Sequence, residues 1–207
     1  MIKEQLMVLA FTKVFNLFYV TEPTLPPENI ATLRISLLRE ELGELKEAYE
    51  AKDLVAVADA LGDLLYVTYG AALACGMEPK PMAIVSLLPV GKPRLSTGRR
   101  FREQYERLRM TVELLEKEFE RACSFEASMS QTLRAIALNR TAAILELLVW
   151  VIYDAADLFC LDLEPIFAEI HRSNMSKQGG KIRADGKLEK PVGYSPPNLA
   201  PIIAAMG

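Results

Sequence analysis

Two acidic clusters set one helical hairpin apart, Glu40-Glu41-x-x-Glu44 and Asp59-x-x-x-Asp63, constrain this chain more than any other feature. Each interrupts an apolar, helix-patterned run. The first lies in Leu37-Leu38-Arg39-Glu40-Glu41-Leu42-Gly43-Glu44-Leu45, the second in Val57-Ala58-Asp59-Ala60-Leu61-Gly62-Asp63-Leu64-Leu65-Tyr66. Residues three and four apart share a helix face, so Glu41 and Glu44 point one way, as do Asp59 and Asp63. Antiparallel packing of the two helices brings four or five carboxylates together. Left uncompensated, they repel strongly wherever water is scarce. A hard divalent cation, Mg²⁺ with Mn²⁺ as the alternative, removes that penalty through oxygen ligands. The competing reading is a solvated acidic face neighboured by Lys46 and Lys52. Leu61, Leu64 and Leu65 around the second cluster weigh against it.

The chain of 207 residues is long enough for one sizeable core or two small helical units sharing one. Hydrophobic residues make up 51% and aromatics only 8%, a balance that favours helices over sheets. No alternating strand pattern of useful length occurs, so the expected fold class is all-α. The formal net charge of −3 argues against a nucleic-acid polymer or an acidic membrane surface as partner. Cys75, Cys123 and Cys160 lie in apolar segments without metal-site spacing, which predicts buried, reduced thiols. Met1-Ile2-Lys3-Glu4-Gln5 lacks a signal-peptide layout, and the longest apolar stretch, Ala142 to Cys160, is broken by Glu146, Asp154 and Asp157. The expectation is a cytoplasmic protein without membrane spans.

The periodicity predicts helices from about Lys3 to Tyr19, Pro27 to Ala51, Asp53 to Gly76, Arg99 to Ala122, Gln131 to Cys160 and Asp162 to Asn174, with a shorter one after Glu78-Pro79. Domain organisation follows: a catalytic helical unit over 1–87, a linker over 88–98, a second helical unit over 99–174 packed on the first, and an irregular basic tail over 175–207. Glu41-x-x-Glu44 is echoed by Glu113-x-x-Glu116, and the end of the third helix by Asp162-Leu163-Glu164-Pro165. Aligning those ends sets Leu145 and Val149 opposite Asp59 and Asp63. A duplication would make the chain a pseudo-dimer with one competent and one degenerate half. Two charged-apolar hairpins in any all-α protein can also look this similar, so a homo-oligomer and an internal pseudo-dimer both stay open.

The run Leu33-Arg34-x-x-Leu37-Leu38-x-Glu40-Glu41-Leu42-x-Glu44-Leu45-x-x-Ala48, followed by Asp59-Ala60-Leu61-Gly62-Asp63-Leu64-Leu65-Tyr66-Val67-x-Tyr69-Gly70, resembles the MazG-like all-α nucleoside triphosphate pyrophosphohydrolases. More narrowly, it is similar to the phosphoribosyl-ATP pyrophosphohydrolase-like branch. His171-Arg172-Ser173-Asn174-Met175-Ser176-Lys177, with Asp185-Gly186-Lys187-x-x-Lys190-Pro191-x-x-Tyr194, resembles the tail of that branch. The resemblance covers 1–79 and about 163–199. The family pattern, E-x-x-E then E-x-x-D holding Mg²⁺ between two helices, is met by Glu41, Glu44 and Asp63. Ala60 stands where the third ligand is expected, and Asp59 is the carboxylate available instead.

The resemblance implies hydrolysis of a nucleoside triphosphate, or a related nucleotide, to the monophosphate and pyrophosphate. Glu40 is the candidate for orienting or deprotonating the attacking water, with Glu41 as competitor. Substrate phosphates need cations, and the family match points to Lys177, Lys187 and Lys190, with Asn174 as a base or sugar contact and Tyr194 beside them. The tail is expected to close over the metal site. Arg34 serves either the phosphates or a neighbouring glutamate. His171, the single histidine, reads as structural. Two other classes compete with the enzyme: an inactive helical scaffold descended from this family, and a di-iron carboxylate bundle. The second requires Glu-x-x-His pairs that the chain lacks.

Overall fold

The computed structural model describes residues 1–80, 91–96, 98–125, 130–181 and 188–206, and among them every regular element is a helix. Seven occur: α1 (Lys3–Val14), α2 (Glu28–Glu50), α3 (Leu54–Ala74), α4 (Gly98–Phe125), α5 (Gln131–Leu158), α6 (Leu163–Met175) and α7 (Ala200–Ala204). The all-α expectation holds. The short helix expected after Pro79 and part of the 88–98 linker lie outside the described residues.

Local chemistry sets the boundaries. Asp53 caps α3 by accepting from the backbone N–H groups of Val55 and Ala56, Ser130 caps α5 through Leu133, and Asp162 caps α6 through Glu164. α1 stops five residues before the expected end because Asn16 turns left-handed, with φ of 51°. Asparagine tolerates that conformation better than most residues. α4 runs to Phe125, through the first part of the turn expected at Cys123 to Ser130.

α3 is the central helix. α1, α2, α5 and α6 all pack on it, and Leu61, Leu64, Leu65 and Tyr69 are fully buried there. α4 pairs with α5 and leans on α2, so the α2/α3 hairpin faces the α4/α5 hairpin, α2 to α4 and α3 to α5. Stacked rings of Tyr49 and Phe101, with centroids 3.6 Å apart, pin the two hairpins together at one end. Buried Gln104 donates to the Val151 carbonyl at 2.9 Å and ties α4 to α5. By length and composition α3 and α5 could each cross a membrane, which the reading of the sequence did not anticipate. In this fold α3 is instead enclosed by other helices.

Two segments sit differently from the expected domain plan. α6 packs on α3 and α1, not on α4 and α5, so the end of the second unit returns to the first. The tail is not irregular throughout: α7 forms beyond the prolines, and Leu199 and Ile203 are buried in the main core. Gly62 makes the approach of α6 feasible. A Cβ at that position would fall 2.2 Å from Ile170 Cδ1 and 3.0 Å from Ile166 Cγ2.

Overpacking of a close helix crossing costs about 1–3 kcal/mol. Gly62→Val is therefore expected to lower the melting temperature, and adding Ile170→Ala to recover part of the loss. Melting curves of the single and double variants check this. Equal destabilisation without recovery shows that the α3/α6 contact does not depend on Gly62.

Candidate functional site

The facing surfaces of α2 and α3 open into a cleft of about 1010 Å³. Glu40, Glu41 and Glu44 line it from α2, and Asp59 and Asp63 from α3. Their helical spacing allows this, because the apolar positions between them, Leu38, Leu42, Leu45, Leu61 and Leu64, are turned into the core. Ala60 is only 3% exposed and belongs to that core, whereas Asp59 faces the cleft beside Asp63. The carboxylate that departs from the family spacing is thus the one on the functional side. A glutamate at position 60 would have to enter apolar packing.

The cluster is electrostatically loaded. The Glu41 carboxyl is held far above the usual carboxylate range, first by burial and then by the charges of Asp63, Glu44, Glu40 and Asp59. Asp63 is raised by burial and Asp59, against the opposing effect of Lys177 and a hydrogen bond from Asn174. Asp59 is raised by burial and Glu44, while Lys190 and Lys177 act the other way. Glu41 Oε2 and Asp59 Oδ1 are buried without a hydrogen-bond partner. Unpaired buried carboxylate oxygens are costly and mark a place for a cation or a donor.

Among the described residues, no three His, Cys, Asp or Glu side chains are arranged to hold a metal ion as they stand. Mg²⁺ keeps several waters and takes one or two carboxylates together with substrate phosphates. Donor type and the two orphaned oxygens fit such an ion.

Cations enter from the end of α6 and the tail. Lys177 lines the cleft and donates to Asn174 Oδ1 at 2.6 Å, and its own pKa is lowered by burial. Lys190 also lines the cleft, its ammonium 4.9 Å from the centre of the Tyr194 ring. Ser173 donates to the Tyr194 hydroxyl at 3.3 Å. Arg172 donates to Ser195 Oγ and the Pro196 carbonyl, and Asn198 N–H donates to Glu169, so the tail is strapped onto α6. Lys187 lies outside the described residues. His171 accepts no catalytic geometry: its Nδ1 is 3.1 Å from the Tyr66 hydroxyl and its ring stacks on Tyr66.

The opposite end of the cleft was not foreseen. Phe11, Leu17 and Phe18, from α1 and the segment after it, wall it together with Leu33 and Val67. In the sequence these residues were indistinguishable from core positions. Arg34 sits among them, 8% exposed, donating only a long 3.4 Å bond to the Phe18 carbonyl and leaving its Nε without a partner. Burial lowers its pKa to about 10. Of the two roles left open for it, pairing with a neighbouring glutamate has no support among the described residues: no carboxylate is among the groups that act on it.

The second hairpin presents no such cleft. Glu113 pairs with Arg109, and Glu116 accepts from Arg39 of α2 at 2.5 Å. Leu145 and Val149, aligned with the two aspartates, are fully buried.

Residues 8–84 match the family described as phosphoribosyl-ATP pyrophosphohydrolase. An uncharacterized protein of Acanthamoeba polyphaga mimivirus is 28% identical over 151 residues, covering 70% of this chain and 57% of the viral protein. The chain therefore spans little more than half the length of that relative. The family match covers α2, α3 and both acidic clusters, the stretch that carries the resemblance noted in the sequence. Over residues 8–84 the chain is thus similar to the phosphoribosyl-ATP pyrophosphohydrolase family, which supports the resemblance to the MazG-like branch.

Proposed function

We propose that this protein hydrolyses a nucleoside triphosphate or related nucleotide to the monophosphate and pyrophosphate, with Mg²⁺ or Mn²⁺ as the metal. The observation that carries the reading is the joint placement of Glu41, Glu44, Asp59 and Asp63 with Lys177 and Lys190 on one cleft. A metal-free acidic cluster repels a triphosphate, and lysines alone leave the carboxylates unbalanced. Carboxylates, a bridging cation and a polyphosphate balance one another.

Phosphoryl chemistry of this kind needs charge neutralisation and alignment more than covalent participation by the protein. Bound Mg²⁺ would supply Lewis acidity and lower the pKa of water. Glu41, Glu44, Asp59 and Asp63 are the residues that would hold it. Glu40, at the exposed rim, or Glu41 accepts the proton of the attacking water. As the water oxygen bonds to the α-phosphorus, the α–β anhydride P–O bond breaks and its electron pair leaves with the departing pyrophosphate. Lys177 and Lys190 neutralise phosphate oxygens on the tail side, and Asn174 fixes Lys177 and Asp63 relative to each other. The inactive-scaffold alternative is the second reading, favoured by the shifted Asp59.

Three expectations test this. Glu44→Gln and Glu41→Gln should each lower Mg²⁺-dependent pyrophosphate release from a nucleotide panel by about 100-fold or more, the lower range for a positioned acid–base group. Absence of any wild-type release, with metal and all common nucleotides present, favours the scaffold. In metal-free buffer Glu41→Gln should raise the melting temperature by about 2–4 °C, the shift that roughly 1 kcal/mol brings in a chain of this size. The sign follows from the raised carboxyl: the folded state resists its ionisation, so stability is complete below the unfolded value and falls as pH rises through the folded one. The gap between variant and wild type should accordingly widen from pH 5 to pH 9.

Glu116→Gln, by contrast, removes a carboxylate already paired with Arg39, and should leave turnover within about threefold, the change expected when only a surface pair is lost. A loss as large as that of Glu44→Gln would make the second hairpin a working centre. For the tail, Lys177→Ala and Lys190→Ala are better probes than truncation, since removing α7 would uncover Leu199 and Ile203 in the core. Both should raise KM with little change in melting temperature.

A further inference from the structure

Among the described residues, no carboxylate acts on the buried cation Arg34. It lines the cleft, is 8% exposed, and keeps Nε unbonded. Solvent cannot satisfy that atom, and the one protein acceptor, the Phe18 carbonyl, is at the long limit of a hydrogen bond. The site is shaped around the guanidinium: a Cβ at Gly70 would come within 2.9 Å of Arg34 Nη1. Such an arrangement leaves the guanidinium under-bonded at the wall of the cleft it lines.

Position decides which acceptor. Arg34 lies two helical turns before Glu41, about 10 Å along α2, while Gly70 lies the same distance beyond Asp63 on the antiparallel α3. Phosphates placed between the carboxylates, Lys177 and Lys190 are therefore at the other end of the cleft. The intervening walls, Phe11, Leu33 and Val67, are apolar and suit a sugar and the faces of a planar ring. Arginine has donors only, in a fixed fork.

We propose that Arg34 is the base-reading residue of this cleft and selects nucleotides whose base offers two adjacent acceptors, with guanine O6 and N7 as the best match. Adenine sets an amino donor beside N7 and opposes the guanidinium there. This rests on the nucleotide reading above, but concerns recognition and not turnover.

The test is calorimetric titration with the α,β-methylene analogues of GTP and ATP in the presence of Mg²⁺, which measures binding without hydrolysis. The wild type should bind the guanine analogue at least about 10-fold more tightly than the adenine one, as bidentate base recognition allows. Arg34→Lys, which keeps the charge but loses the fork, should bring that ratio towards unity, with the adenine affinity changed by no more than threefold. Gly70→Ala, which crowds Nη1 and leaves Arg34 in place, should reduce the ratio in the same direction. If Arg34→Lys fails to fold, the Gly70→Ala ratio decides the outcome. Equal binding of the two analogues by the wild type, preference for adenine, or equal weakening of both by the variants overturns the assignment. Guanine selectivity that depends on Arg34, but without pyrophosphate release from GTP, upholds it and sinks the hydrolase reading instead. Failure of both analogues to bind overturns both.

Discussion

The repulsion among Glu41, Glu44, Asp59 and Asp63 is the interaction around which this structure is organised. Helix packing forces them together: the α2/α3 hairpin is zipped by Leu38, Leu42, Leu45, Leu61 and Leu64, each buried, and the acidic residues occupy the adjoining face of the same two helices. The apolar zipper supplies the free energy, since each fully buried leucine contributes about 1.5–3 kcal/mol by leaving water. That is enough to hold carboxylates at a spacing they would otherwise avoid. Burial then raises Glu41, Asp59 and Asp63 together, a penalty that a bound cation would relieve. Stability and function are in tension at one place, and the hydrophobic hairpin absorbs the cost.

The remainder of the chain serves that hairpin. α6 crosses α3 at Gly62 and delivers Asn174 and Lys177 to the aspartates, and the strapped tail adds Lys190. The α4/α5 hairpin buttresses the back of the pair, with Tyr49 against Phe101 at one end and Arg39 against Glu116 along the shared flank. Glu113 and Glu116, which echo the cleft pair in sequence, are each paired with an arginine there, and Leu145 and Val149 are buried in packing. The two hairpins thus handle their carboxylates differently: arginine pairs on one side, and on the other a cleft shared by carboxylates and two lysines.

Much of this was legible in the sequence, for identifiable reasons. Helical periodicity and the Asp53, Ser130 and Asp162 caps give α3, α5 and α6, because capping and amphipathicity are local. The acidic spacing gives the shared face of Glu41, Glu44, Asp59 and Asp63 for the same reason. What was not legible is non-local. Nothing in the pattern of α6 says that it returns to α3 instead of staying with α5; the signal is Gly62, a missing side chain more than a hundred residues away from Ile170. Nor does any local rule separate Phe11 and Phe18, on the cleft wall, from Leu64 in the core. Arg34 was visible as a charge, yet its lack of a carboxylate partner is a three-dimensional fact.

The cleft that results is polarised along its length, and this polarity limits what can occupy it. At one end a ligand meets carboxylates and lysines together, so it must be anionic and able to share a cation. At the other it meets aromatic and aliphatic walls with one unsatisfied guanidinium, so it must be largely flat and apolar while presenting acceptors. Inorganic polyphosphate satisfies the first requirement and fails the second. An apolar metabolite fails the first. The nucleotide proposed above satisfies both in that order. The electrostatic asymmetry of α2 and α3 is thus the physical basis of the substrate class proposed above, independent of any catalytic step.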